Sequence, residues 1–190
     1  MVTWPRLFLA YLLASLFCLG VWYYIPVPIP YVPVRLLTEA SVQAEWKFEQ
    51  KQKAIDRAAR ISARLYRSYG CPVSLAWPTA VNAMENRLSV RLVTAVVIVE
   101  STCRPYAVSE KGATGLMQIM PKMHHVSKSA LMNQDYNLKV GTQFLAYLIR
   151  MYGIEEGLAN YFGISPGSNA AWDYSFRVME VAGYEQRGGG

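Results

Sequence analysis

Glu100 stands at the end of Val90 to Ser101, a segment apolar over most of its length, and is the first candidate for chemistry. Burial on such a segment disfavours its charge and raises its pKa. The negative end of a helix dipole pushes the same way. A carboxyl still protonated near neutral pH can give its proton to a leaving oxygen. Taken alone, a glutamate at a helix end more often reaches solvent. Of the nearby acids, Glu110 falls in a turn before Gly112 and reads as solvated, and Asp135 reads as an N-cap for the helix it precedes. His124 and His125 are adjacent, so their side chains diverge, and no carboxylate or cysteine follows three or four residues on. No metal site is expected there. Cys71 and Cys103 suit either a disulfide or two buried thiols.

The elements that must hold these groups read as helices. Ser89 is expected to cap a segment from Val90 to Ser101. Within it, Val93 to Val99 is β-branched enough for a buried strand, while Leu92, Val96 and Glu100 share one helix face. Pro72 opens an earlier segment that Pro78 should interrupt. Gly112 to Pro121 reads as a loop leading into a short helical piece. Helices are then expected over Asp135–Tyr152, Glu155–Phe162 and Trp172–Val181, with a flexible tail at 185–190. Ahead of Gly70, residues 38–69 carry seven Lys/Arg and four Asp/Glu. Ile55, Ala58, Ala59, Ser62, Leu65, Tyr66 and Tyr69 recur at helical spacing, so this is an amphipathic helix. Arg57, Arg60, Arg64 and Arg67 form its solvated face. No aromatic or polar readers interleave with them, and nucleic acid is not an expected partner.

Composition locates the rest. The chain has 190 residues, 53% hydrophobic, 13% aromatic and 17% charged, which excludes a largely disordered chain. Three cysteines exclude a disulfide-dense miniprotein and a four-cysteine zinc site. The net charge of +6 points to an anionic partner and says nothing of fold. The hydrophobic excess is local, since 25 of the first 34 residues belong to that set. Leu7 to Ile25 is uncharged over 19 residues, enough for roughly 28 Å of helix, with Trp4, Trp22, Tyr23 and Tyr24 at its ends. Residues 1–25 are therefore expected to be a retained transmembrane anchor, not a cleaved signal, for which a small-x-small site is wanting. Arg6 and the amino terminus favour the N-terminus inside. Cys18 is apolar filler in that anchor. Residues 26–37, with Pro26, Pro28, Pro30 and Pro33, read as an extended spacer.

The globular part then resembles a known family. Glu100-Ser101, Ala107-Val108-Ser109, Gly112-Ala113 and Gly115-Leu116-Met117-Gln118-Ile119-Met120-Pro121 follow one another as in lytic transglycosylases. The likeness continues through Asp135, Asn137, Val140-Gly141, Phe144-Leu145 and Leu148. Leu158-Ala159-Asn160-Tyr161, Tyr174 and Val178 complete it. The resemblance spans roughly Arg64 to Gly183, and it implies an all-α, lysozyme-like catalytic domain, here assigned to residues 70–184. It also implies cleavage of peptidoglycan glycan strands between N-acetylmuramic acid and N-acetylglucosamine without water, leaving a 1,6-anhydro end. Under it Glu100 is the single acid/base, and Ser101 holds the carboxyl or an acetamido group. Met117 and Gln118 line the sugar cleft, Tyr161 belongs to the family's Ala-Tyr-Asn element, and Tyr174 hydrogen-bonds the glutamate. No cofactor or metal is implied. Phe162 and Asn160 depart from the family, which usually has Asn and Ala at those places.

A membrane-tethered enzyme facing the periplasm or cell wall is the resulting expectation. A hydrolytic muramidase on the same fold, or a non-catalytic glycan-binding anchor or assembly factor, are the alternatives. Partners among secretion-system, division or virion proteins are compatible with a local wall opener, in a bacterium or a bacteriophage. Trp46, Trp77 and Trp172 could stack on sugars, but core packing is expected of each.

Overall fold

The computed structural model describes residues 34–163 and 167–184. The expected anchor at 1–25 with Cys18, the proline run to Pro33 and the expected tail at 185–190 lie outside the described residues. Among the described residues, no helix is long and apolar enough to cross a membrane.

Seven α-helices make up the described chain, with no strand among the described residues: α1 Val34–Ser68, α2 Ala76–Glu85, α3 Val90–Ser101, α4 Lys128–Leu131, α5 Gln134–Tyr152, α6 Ile154–Tyr161 and α7 Asn169–Ala182. A 3-10 turn, Val73–Leu75, precedes α2. Helix α1 starts at Val34, so the last four residues assigned to the spacer are helical. Beyond Pro33 no proline removes a backbone donor, and nothing prevents the helix from beginning there. The chain forms two compact units, Met1–Trp46 and Lys47–Gly190, and the second therefore begins on α1, well before Gly70.

In that second unit α1 behaves as an amphipathic helix should. Ile55, Ser62 and Tyr66 are buried, Ala58, Ala59 and Leu65 are half-buried, and the four arginines are exposed. Tyr69, expected on the same face, is exposed. Two buried side-chain pairs fix the register of the helix. Ser62 Oγ meets Thr94 Oγ1 at 2.8 Å on α3, and the Tyr66 hydroxyl meets Thr79 Oγ1 at 2.8 Å on α2.

Helix α3 is the centre of the core. Every residue from Leu92 to Ile98 is buried, which explains why its sequence lacks a clean one-sided period. Burial of each Val, Leu or Ile side chain contributes about 1.5–3 kcal/mol, enough to outweigh the modest helix propensity of a β-branched run. Ser89 stands at the N-cap in an extended conformation, though its side chain makes no capping hydrogen bond. Helices α2 and α7 pack against α3, α6 lies between α5 and α7, and α2 and α4 rest on α5. Pro78 does not interrupt the segment after Pro72. It is the third residue of α2, where the backbone N–H has no helical partner to lose. The cap of α5 is Asn133, whose Oδ1 accepts the Tyr136 N–H at 2.9 Å, and Asp135 stands in the first turn instead. The tryptophans are not core residues as expected. Trp46 and Trp77 are exposed, and Trp172 is half-buried with its ring 6.4 Å from that of Phe176.

The C-terminus of α3 carries unusual backbone. Thr102 and Cys103 both have positive φ, 50° and 60°, where a β-branched residue is seldom found. Cys103 is joined to Cys71, which follows α1, by a disulfide with Cα atoms 5.7 Å apart. The bond closes a loop of sequence separation 32 and holds this turn three residues beyond Glu100. Replacing both cysteines by serine should lower unfolding stability by about 3 kcal/mol. Denaturant titration of the oxidised parent and of the variant would measure the loss.

Candidate active site

Glu100 is the penultimate residue of α3, half-buried next to the fully buried Ser101. Its neighbours come from α7. Because α7 packs directly on α3, Tyr174 reaches across and donates its hydroxyl to Glu100 Oε1 at 2.6 Å. Burial pushes the Glu100 carboxyl up to about 7, against the opposing pull of the Tyr174 hydrogen bond and the Arg177 guanidinium. A carboxyl with that value is divided between acid and base near neutral pH, as a proton-shuttling group requires. Tyr174 and Tyr161 are both held well above the usual phenol range, by burial first and then by the charge of Glu100, and so remain donors.

Glu100 opens into a cleft of about 340 Å³ whose other walls include Gln118, His124, Phe144, Tyr161 and Phe162. Among the described residues lining it, Glu100 is the one acidic side chain. Glu110, between the lining residues Ser109 and Lys111, and Asp135 are both exposed and do not line the cleft. One wall is the loop after α3, folded as two tight turns in which Thr114 bridges to Val108 on one side and to Ile119 on the other. Asn137, buried on α5, is the hub of this loop. Its Oδ1 accepts the Met117 N–H at 2.8 Å, and its Nδ2 donates to the carbonyls of Thr114 at 2.8 Å and Leu131 at 3.0 Å. Gly115, at φ 81°, lies so close that a Cβ there would overlap the Asn137 amide.

Residues 79–170 match the model of the Transglycosylase SLT domain. This segment belongs to the lytic transglycosylase family. A structure of lytic transglycosylase Slt from Pseudomonas aeruginosa, solved as an inactive mutant, is similar at 18% identity and a TM-score of 0.49. The alignment covers 80% of this chain and 36% of that one, so the chain spans about a third of the length of Slt. No curated protein matches the chain.

Within the transglycosylase domain, the residues singled out from the sequence separate into two groups. Glu100, Gln118, Tyr161 and Tyr174 come together. Gln118 lines the cleft with a strained backbone, φ 47°, and its Nε2 donates to the carbonyls of Gly115 at 2.9 Å and Ala107 at 3.2 Å. Tyr161 lends its ring to the cleft and donates its hydroxyl to the Met117 carbonyl at 2.8 Å, tying α6 to the loop. Ser101 and Met117 do not join them. Ser101 is buried, and its hydroxyl donates to the Val97 carbonyl of its own helix at 3.0 Å. One residue on from Glu100 is about 100° around a helix, which turns Ser101 into the core. Met117 is fully buried against Gly141 and Thr142 of α5, beneath the cleft and not on its surface.

Two residues at the departures from the family pattern have roles of their own. Asn160 donates to the Glu156 carbonyl at 2.8 Å within α6. Phe162, the C-cap of α6, stacks on the Tyr174 ring with centroids 4.9 Å apart and planes 21° from parallel. His124 sets its ring edge-on to Phe144 at 4.5 Å, and burial lowers its pKa, with the His125 charge adding to the effect. No group of His, Cys, Asp and Glu capable of holding a metal ion exists among the described residues. The sequence signal that could have found Asn137 is its amide on the otherwise apolar face of Leu138, Gly141 and Leu145.

Proposed function

We propose that this chain is a membrane-tethered peptidoglycan lytic transglycosylase with Glu100 as its only acid/base. The observation that carries this reading is a single raised carboxyl in the cleft, held by a tyrosine, with no second acid among the described lining residues. Hydrolytic glycosidases of the usual kind need two carboxyl groups, one to protonate the leaving oxygen and one to attack or to activate water. Here the substrate supplies the attacking oxygen. With Oε1 accepting from Tyr174, the acid proton of Glu100 sits on Oε2 and passes to the glycosidic oxygen between N-acetylmuramic acid and N-acetylglucosamine. The bond from that oxygen to C1 of the muramic residue breaks. The resulting carboxylate then takes the proton of the same residue's 6-hydroxyl as its oxygen closes on C1, giving a 1,6-anhydro end and regenerating the acid. An intramolecular hydroxyl has a high effective concentration, and no second carboxylate is required.

The segment Leu7–Ile25 supplies the tether in this reading, and the catalytic domain faces the periplasm or cell wall. The Cys71–Cys103 disulfide supports that side, since such bonds persist in oxidising compartments. A tethered cutter opens the wall locally, as envelope growth, secretion-system assembly and bacteriophage entry or release all require. Purified full-length protein should release soluble fragments from peptidoglycan sacculi, and the expressed protein should stay with membranes through alkaline extraction. Absence of fragment release would overturn the enzymatic reading; extraction into the soluble fraction would overturn the tether alone.

A further inference from the structure

We infer that Phe162 is a positioning residue for the reaction, closing the cleft side of the Glu100–Tyr174 pair so that the carboxyl can still give a proton near neutral pH. The inference rests on the reading of Glu100 as proton donor. Its basis is geometric. Phe162 leaves α6 at the C-cap, lines the same cleft as Glu100, and lays its ring on the ring that donates to Glu100. The stack restricts Tyr174 rotation and replaces water along one face of the pair, the two effects that set both the direction of the hydrogen bond and the cost of ionising the acid.

Other groups around Glu100 do not supply this. Tyr174 and Arg177 on α7 both favour its charged form. Tyr161 on α6 spends its hydroxyl on Met117, and Lys111 and His124 come from the loop wall of the cleft. No ionisable group of α1 or α2 lines the cleft among the described residues. Desolvation is the leading cause of the raised carboxyl, and Phe162 is the apolar side chain in ring contact with its partner. An amide at position 162 would bring a hydrogen-bond donor and water to the same place, favouring the carboxylate.

The test is the pH profile of kcat/KM on purified glycan strands for the full-length parent, Phe162→Asn, Phe162→Tyr and Glu100→Gln. Glu100 must begin protonated, so its ionisation sets the alkaline limb. The inference expects that limb to move about one pH unit lower in F162N, and to return to the parental position in F162Y, which keeps the ring. An F162N limb at the parental pH, with any loss uniform across the profile, would overturn it. So would an F162Y limb displaced as far as that of F162N. Full activity in E100Q would instead overturn the reading on which the inference rests, and the two failures are thereby distinct.

Discussion

Glu100→Gln should reduce glycan cleavage about 10³-fold or more while leaving the domain folded. The substitution keeps the shape and the oxygen that accepts from Tyr174 at 2.6 Å, and removes only the transferable proton. General acid–base catalysis by one positioned group contributes roughly 10²–10⁴-fold, and here the same group serves both steps. The parent's activity should decline as pH rises through about 7, the value to which burial lifts this carboxyl, and any residual E100Q activity should lack that decline. The stability of the parent should fall with rising pH as well. A carboxyl whose folded pKa lies above its unfolded value binds more protons in the folded state between the two values. Its contribution is complete below the ordinary carboxylate range and is lost as pH rises through about 7. E100Q, which never ionises, should therefore be more stable than the parent at pH 8, by about 1–3 kcal/mol. The two should converge as pH falls towards 4. Paired chemical denaturation at the two pH values measures the convergence, and equal stability at pH 8 would show that the carboxyl is not held in a desolvated site.

Asn137→Ala should cost about 3–5 kcal/mol and disable cleavage without touching the substrate. Its amide satisfies the Met117 N–H and two carbonyls in a fully buried position. Each buried polar group left without its partner costs about 1–3 kcal/mol. The loop these bonds hold carries Gln118 and is tied by Tyr161 to α6, so its release should open the cleft wall opposite Glu100. Gly115→Ala should give the same phenotype from the other side. The new methyl would overlap the Asn137 amide at a backbone angle that disfavours any side chain. Thermal melting together with glycan release would separate loss of fold from loss of the loop. Parental stability in either variant would contradict the hub assigned to Asn137.

How much of this was legible from residues alone depends on what each feature requires. The glutamate of the cleft was legible, because an acid at the end of a mostly apolar run is unusual and its neighbours come in a distinctive order. Tyr174 was legible only through the family, since 74 positions separate it from Glu100 and no local pattern joins them. Ser101 and Met117 were misplaced for one physical reason: adjacency along the chain is not adjacency at a surface. Helical rotation carries Ser101 inward, and the loop that reverses at Gly115 and Gln118, both at positive φ, drops Met117 beneath the cleft. The strand-or-helix ambiguity of Val93–Val99 was real, because complete burial erases periodicity. Only the packing of α1, α2 and α7 around it decides the matter. The start of the globular unit was missed because the buried face of α1 is small, resting on Ile55, Ser62 and Tyr66 among many charges.

The most direct test of the central claim is a mass spectrum of the fragments released from purified peptidoglycan, taken over a time course. A lone acid/base that uses the substrate's own 6-hydroxyl should leave muramyl ends that are lighter by one water than reducing ends and that resist borohydride reduction. Their yield should track the activity lost in E100Q. Reducible muramyl ends as the primary product would contradict the account, because they require a water molecule activated in a cleft for which one carboxyl has been assigned.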